Sequence, residues 1–242
     1  MQKRKRIPEK PRYRRTTQRA YQFLAEFGIG SFPVDPVDIV SRFPNWHLCG
    51  WIELRNTTNE SDPLNINRDK AEAKTVVCRE GSDYLIVYEE RIGYDKRIRW
   101  TIAHEIGHIA LGHLHDFDKT ALCRGGLTEN EYQVLESEAH YFACEILSPK
   151  TIIRRFRHLL RDAAGIASLC DISYDAAVIR MKELARLDFD YYEPENAILR
   201  NFYGYLEQHG LYSTAAGRLS VADVCIPESL GDYIECDYWH YV

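Results

Sequence analysis

One stretch of the sequence decides how the centre of the molecule is built: Thr101-Ile-Ala-His104-Glu105-Ile-Gly-His108-Ile-Ala-Leu-Gly-His113. Apolar residues flank the polar ones at helical spacing, and the pattern predicts one helix over residues 98–114. Residues four apart lie on the same face of a helix, so His104 and His108 should present their imidazoles side by side. Because burying two histidines and a carboxylate is costly when they lack partners, this helix requires a polar partner in the core.

A zinc ion would be such a partner. Imidazole nitrogens bind Zn²⁺ at about 2.0–2.1 Å, and two histidines four residues apart on a helix can share one ion. Glu105 lies about 100° around the helix from His104, so it can reach a water molecule at the metal without binding the metal itself. A surface pair of histidines beside an incidental glutamate is the plainer interpretation, and the apolar flanks argue against it. The H-E-x-x-H pattern therefore indicates a zinc hydrolase with Glu105 as general base.

A catalytic zinc site needs a third protein ligand. His113 is near in sequence, but the pattern H-E-x-x-H-x-x-G-x-x-H would require glycine and histidine where this chain has Leu111 and Leu114. We therefore expect His113 and His115 to lie beyond the metal, near the helix end.

A second helix offers a carboxylate instead. Thr128 and Glu131 form a capping box that predicts a helix over residues 128–147. On it, Glu136 shares a face with small alanines that would permit close approach to the histidine helix. Glu136 is the favoured third ligand, with Glu138, about 200° around the helix, as the alternative. His140, one turn beyond Glu136, either orients a ligand or is a satisfied core histidine.

The order of elements predicts an α+β domain: a helix over residues 16–27, a short helix over 36–43, a strand over 46–54, a hairpin of strands at 75–78 and 84–88, and then helices. We divide the chain into a basic arm (1–15), a metallopeptidase-like domain (16–149), a helical region with helix-turn-helix character (150–187) and an acidic, Tyr-rich region (188–242). The strand at 84–88 could pair with an extended substrate.

Charge and cysteine content indicate the compartment. The net charge is −5, yet residues 1–19 hold nine Lys or Arg against Glu9 alone, and residues 188–242 hold ten acids. The basic arm is expected to be disordered. Seven cysteines without framework spacing indicate reduced thiols, with Cys225 and Cys236 as packed thiols rather than a second zinc site near His240. With no signal peptide and no apolar run of about 20 residues, we expect a cytoplasmic protein without membrane contact.

The sequence resembles the ImmA/IrrE family of metallopeptidases. Residues 99–113, around the H-E-x-x-H pattern, carry the resemblance together with residues 136–149, which are similar to the family block E-x-x-A-N-x-F-A-x-x-L-L-x-P. Further similarity lies in residues 33–36 and 166–184, so that it covers about residues 16–187. The chain departs from the family at His140, where Asn or Asp is usual.

The resemblance implies a minimal gluzincin-like fold with a small antiparallel or mixed sheet. It implies zinc bound by His104, His108 and Glu136, with Glu105 as the catalytic carboxylate. It also implies cleavage of a transcriptional repressor encoded on a phage or mobile element.

A competing hypothesis is a DNA-binding or partner-binding regulator, antitoxin-like or sensory, whose zinc is structural. Residues 163–187 would supply the contacts, with Ser173 as N-cap, but Asp175 at the helix start repels phosphate. Tyr174 and Arg180 are the residues that would touch DNA. We favour packing or partner recognition for this stretch.

Overall fold

A computed structural model describes residues 6–61, 64, 71–78, 83–116, 127–156, 160, 162–185 and 193–209. The chain is α+β, mostly helical with one small sheet, as the sequence predicts. The strands are β1 (Trp46–Gly50), β2 (Ala73–Cys78) and β3 (Asp83–Tyr88). The helices are α1 (Tyr13–Glu26), α2 (Pro36–Ser41), α3 (Trp51–Thr58), α4 (Asp95–Ala110), α5 (His113–Asp116), α6 (Glu129–Leu147), α7 (Lys150–Phe156), α8 (Ala163–Cys170), α9 (Tyr174–Ala185), α10 (Glu193–Asn201) and α11 (Tyr203–Gln208), with a 3₁₀ turn at Glu90–Ile92.

The three strands form a mixed sheet in the order β1–β3–β2. β1 runs parallel to β3, with Trp46 opposite Tyr84, and β2 runs antiparallel to it, with Val76 opposite Leu85. This confirms the predicted hairpin, whose turn at 79–82 lies outside the described residues. Because β3 is central, both of its edges are already paired, so the expectation that it binds an extended substrate is wrong. The two edge strands of the described sheet are β1 and β2.

The strand predicted over residues 46–54 is wrong in its second half, because β1 ends at Gly50 and α3 begins at Trp51. The carboxylate of Glu90 accepts a hydrogen bond from the backbone N–H of Ile52 at 3.0 Å. This bond satisfies one of the amides that every helix start leaves unpaired. The acceptor belongs to a residue 38 positions away, so no pattern in the sequence around Ile52 could reveal it.

Helices α4 and α6 make the central contact of the core, and they approach each other closely at Gly107. Ala139 and Ala143 on α6 are fully buried. A Cβ atom on Gly107 would lie only 2.9 Å from the backbone oxygen of Ala139, so the missing side chain lets the two backbones touch. The alanines of α6 therefore face a glycine on α4, which brings the two helices together.

Both ends of the described chain pack on this core. Helix α1 begins at Tyr13, inside the stretch predicted as a basic arm, and Arg12 is bound to the buried Glu138. In α10, Asn201 donates hydrogen bonds from Nδ2 to the backbone oxygens of Leu24 and Ala25, both at 3.2 Å. The ordered core thus begins earlier than residue 16, while the division into four domains stays a prediction.

The helix-turn-helix-like stretch consists of α8 and α9. Asp171 joins them in the left-handed region at φ 51°, and Ser173 caps α9 by accepting a hydrogen bond from the Ala176 N–H at 3.1 Å, as predicted. Arg180 is only 2% exposed and donates to the carboxylate of Glu145 at 2.8 Å. Its guanidinium is therefore unavailable to DNA phosphates, which corrects its place among the candidate DNA contacts.

Within the described ranges, no helix combines the length and the apolarity needed to cross a membrane. The cysteines in those ranges, Cys49, Cys78, Cys144 and Cys170, are free thiols. Cys225, Cys236 and His240 lie outside the described residues.

Candidate metal centre

Helix α4 brings His104 and His108 together, as the four-residue spacing requires. Their Nε2 atoms are 3.0 Å apart. His108 is 2% exposed, whereas the side chain of His104 retains some contact with the surface. Helix α4 is anchored at its start by Arg99, whose guanidinium donates to the backbone oxygens of Val34 at 2.6 Å and Asp171 at 2.7 Å. The two imidazoles thus sit on a helix whose position is set by several other elements.

Helix α6 places Glu136 directly against these histidines. Its Oε2 is 3.2 Å from Nε2 of His104, and its Oε1 is 3.4 Å from Nε2 of His108. The predicted capping box opens the helix, with Thr128 and Glu131 bonded reciprocally. Glu138, the alternative third ligand, binds Arg12 and His113.

The spacing of these donor atoms fits a tetrahedral zinc site. Ligands about 2.0–2.1 Å from a tetrahedral ion lie about 3.3–3.4 Å from one another. The observed separations of 3.0, 3.2 and 3.4 Å between the two Nε2 atoms and the Glu136 oxygens are close to that value. Two imidazoles and one carboxylate are also the donor set of many catalytic zinc sites, which keep a fourth position for water or substrate.

Glu105 lies beside this cluster. Its carboxylate and the nitrogens of His104 and His108 all fall within 4.8 Å of one another. Glu136 lies 3.2 Å and 3.4 Å from the same nitrogens, so it is a candidate ligand as well. Oε2 of Glu105 accepts a hydrogen bond of 2.5 Å from the hydroxyl of Thr75 on β2, in a buried setting. Burial raises the pKa of Glu105, although the charge of His104 and the bond from Thr75 act against the shift.

Local charges decide the ionisation of the candidate ligands. Burial favours an uncharged Glu136, but His108 and His104 outweigh it and lower the pKa of Glu136 to about 2. Burial lowers the pKa of His108 well below its usual range. Burial also acts to lower the pKa of His104, but the hydrogen bond and charge of Glu136 raise it overall. Metal ligands are ionised carboxylates and neutral imidazoles, so the shifts of Glu136 and His108 favour metal binding, whereas the raised pKa of His104 acts against it.

Comparison with known proteins identifies the fold around this site. Residues 66–182 match the sequence model of peptidase family M78, described as the IrrE N-terminal-like domain. These residues form an IrrE N-terminal-like domain. The match confirms the resemblance to the ImmA/IrrE family, over a shorter stretch than the expected 16–187, and it supports a metallopeptidase-type function. No curated protein matches the chain.

The IrrE-like domain contains every candidate site residue, from His104 to Glu136. Residues 6–61 lie outside the match, yet they supply β1 and α1, and α1 packs on α6. Arg12 and Arg19 reach across this boundary, since Arg12 binds Glu138 and Arg19 donates to the backbone oxygen of Ala110 at 3.1 Å. The site of the IrrE-like domain is therefore supported by a segment that precedes it.

Three further histidines of the IrrE-like domain, His113, His115 and His140, are among the described residues. His113 is fully buried, with its Nδ1 3.0 Å from Nδ1 of His108, so it contacts a candidate ligand from the side away from the Nε2 atoms. His115 packs edge-on against Tyr84, with ring centres 5.7 Å apart. His140 packs against Trp100 at 4.6 Å and lies 6.3 Å from the ring of His104. Burial, reinforced by the charges of His104 and Arg97, lowers the pKa of His140 to about 3, which keeps it neutral.

Three contributors to this site were missed from sequence. Thr75 was one residue of a short β-rich run, and nothing in that run indicated contact with Glu105. Gly107 occupies one of the two variable positions inside the H-E-x-x-H pattern, so the pattern did not single it out. The bond between Arg12 and Glu138 joins residues 126 positions apart, so no local signal could have revealed it.

A pocket borders the candidate metal centre. It has a volume of about 700 Å³, counted with its mouth, and it lies between α4, α6 and α9. Trp100 and His140 line it, and they stand one helical turn from His104 and Glu136 respectively. Most of the lining surface is apolar. A mostly apolar lining with a few polar groups is typical of ligand sites in proteins.

Proposed function

We propose that the chain is a zinc-dependent metallo-endopeptidase in which His104, His108 and Glu136 bind the zinc ion and Glu105 is the catalytic carboxylate. The observation that carries the proposal is the convergence of two imidazole nitrogens and a carboxylate at tetrahedral spacing, with a second buried carboxylate beside them. Membership in a metallopeptidase family supports the same function.

In the proposed reaction, Glu105 acts on the attacking water. A zinc ion in this site would lower the pKa of a water molecule and polarise the scissile carbonyl. Glu105 takes a proton from that water and later delivers it to the nitrogen of the leaving amine. Thr75 holds one carboxylate oxygen in place, and the raised pKa makes Glu105 a stronger base than an exposed glutamate.

The sheet and the pocket suggest how a polypeptide would bind. In the described part of the chain, β2 is an edge strand, and it carries the Thr75 that contacts Glu105. An extended peptide paired with β2 would run past the catalytic carboxylate. The pocket beside Trp100 and His140 would then accept one of its side chains, preferably an apolar one.

The proposed substrate is a transcriptional repressor or another regulator encoded on a phage or mobile element, cleaved in the cytoplasm. The resemblance to the ImmA/IrrE family supports this choice, since members of that family cleave regulators of this kind. Such a regulator is often encoded beside the peptidase.

Co-expression with the regulator encoded next to the gene tests the proposal. The wild type should cleave the regulator, and E105Q should bind zinc normally but lose cleavage, because it removes the base and leaves the three ligands. The exposed Glu207 on α11 provides a matched control, and E207Q should retain cleavage. E136A should purify with little zinc. Undiminished cleavage by E105Q would refute the role of Glu105.

The regulator hypothesis predicts a different outcome. A zinc-loaded wild type that shifts DNA and cleaves no regulator would favour it. The burial of Arg180 removes one of its two proposed DNA contacts, while Tyr174 is 59% exposed. The burial of Arg180 therefore counts against contact with DNA through α9.

A further inference from the structure

A chain of buried polar contacts leads from His108 away from the candidate metal centre. Nδ1 of His108 lies 3.0 Å from Nδ1 of His113, and Nε2 of His113 lies 3.2 Å from Oε2 of Glu138. Arg12 closes the chain by donating to Glu138 from its backbone N–H at 2.7 Å and from Nε and Nη2 at 2.8 Å each. The side chains of His108, His113 and Glu138 are each at least 97% buried.

The contacts permit one consistent arrangement of protons when His108 serves as a metal ligand. Nε2 of His108 faces the other ligands and must carry no proton, so the proton of this neutral imidazole resides on Nδ1. Nδ1 of His108 then donates to Nδ1 of His113. His113, as a neutral imidazole, must carry its own proton on Nε2, from which it donates to the carboxylate of Glu138. Each donor meets an acceptor, and the chain ends on a negative charge.

Arg12 holds the far end of the chain. Its guanidinium approaches both oxygens of Glu138, a two-point geometry that fixes orientation as well as charge. Glu138 is on α6, the helix that also carries Glu136, so the same helix supplies a candidate ligand on one face and this anchor on another.

We propose that His113 and Glu138, anchored by Arg12, are positioning residues that hold the imidazole of His108 with Nε2 directed at the metal. The inference rests on the proposed zinc site and adds three residues to its support. Groups that orient a histidine ligand through its other nitrogen commonly change metal affinity about 10–100-fold when removed. A histidine buried only for packing would have no such effect on metal binding.

Zinc affinity of the full-length protein, measured by competition with a chelator, tests the role of His113. H113L fills the space but accepts no hydrogen bond, and it should weaken zinc binding about 10–100-fold. H113N places an amide oxygen near the position of Nδ1 and should restore most of the affinity. H47N, at an exposed position on β1, is the matched control and should bind like the wild type. Cobalt(II) in place of zinc should show an altered visible spectrum in H113L and a near-normal one in H113N.

A second pair of variants tests Glu138 and separates positioning from stability. E138Q removes the charge that ends the chain and should weaken zinc binding. E145Q removes an equally buried carboxylate on the same helix, which pairs with Arg180 and not with His113. It should lower the thermal stability of the metal-free protein and leave zinc affinity unchanged.

The outcomes distinguish this inference from the proposed function. A wild type that binds no zinc would refute the zinc site itself. A wild type that binds zinc, together with H113L that binds it equally tightly, would overturn the positioning chain and leave the peptidase proposal intact. Equal losses in H113L and H113N, or equal zinc affinities in E138Q and E145Q, would also overturn it.

Discussion

Replacement of Gly107 by alanine should pull the candidate zinc ligands apart. The new Cβ would lie 2.9 Å from the backbone oxygen of Ala139, 3.1 Å from its Cα and 3.3 Å from Cβ of Phe142. Carbon atoms in good contact are about 3.5–4.0 Å apart, so helices α4 and α6 have to separate by roughly 0.5 Å. The obstacle is backbone, and a change of side-chain rotamer cannot relieve it.

Two opposing effects determine how much stability the metal-free G107A protein loses, and a third determines its loss of zinc affinity. Overpacking of a core lowers the folding stability by about 1–3 kcal/mol. The higher helix propensity of alanine raises it by about 1 kcal/mol. The metal-free protein should therefore lose up to about 2 kcal/mol. Metal–ligand distances tolerate only about 0.2 Å, whereas His104 and His108 move with α4 and Glu136 moves with α6. We expect zinc affinity to fall about tenfold or more.

The assay is a zinc competition titration with G107A, together with thermal unfolding of the metal-free protein. Gly204 is the matched control, since it lies on α11 and a Cβ there meets nothing within 4 Å. G204A should unfold at the wild-type temperature or slightly above it, and it should bind zinc normally. Wild-type zinc affinity in a folded G107A would refute the argument that the contact at Ala139 sets the distance between the ligands.

Two further variants test the buried polar contacts. T75V removes the hydroxyl that binds Glu105, and kcat for cleavage should fall on the order of tenfold, since a hydrogen bond to a charged group contributes about 1.5–3 kcal/mol. Because Thr75 lowers the pKa of Glu105, the acidic limb of the kcat/KM profile should also move to higher pH, and an unmoved profile would contradict this role. E145Q should lose about 3 kcal/mol in urea unfolding at pH 7, because the buried Arg180 and the partly buried Lys150 lose their carboxylate. Despite its burial, Glu145 has a lowered pKa, so its contribution is present above about pH 4.3 and is lost as the pH falls through the lowered value. The difference from wild type should therefore shrink in unfolding measured near pH 3, and a difference independent of pH would count against the ion pair.

Sequence patterns were sufficient wherever the controlling interactions are local. A helix links residues three or four apart, so the spacing of His104, Glu105 and His108 predicted their shared site on α4. The same helical period puts Glu136 and Glu138 on different faces of α6. In the structure, Glu136 lies beside the two histidines. The capping box of α6 and the Ser173 N-cap of α9 are also local, which explains why they were predicted correctly.

Patterns failed where a distant residue decides the local structure. Residues 51–54 continue the apolar character of β1, yet they form the start of a helix, where Glu90 accepts a hydrogen bond from the N–H of Ile52. Arg180 suits an exposed recognition helix as well as a buried ion pair, and only the presence of Glu145 beside it distinguishes the two.

By itself, the sequence determined the α+β class, the metal-binding pattern on α4 and the carboxylate helix that accompanies it, because each depends on periodicity within one element. Only the tertiary structure decided how closely those elements meet and what surrounds them. The Gly107–Ala139 contact, the Thr75–Glu105 bond and the chain from His108 to Arg12 all join separate elements. Such contacts arise from the packing of the whole core, since spacing along the chain sets directions on a helix but not distances between helices.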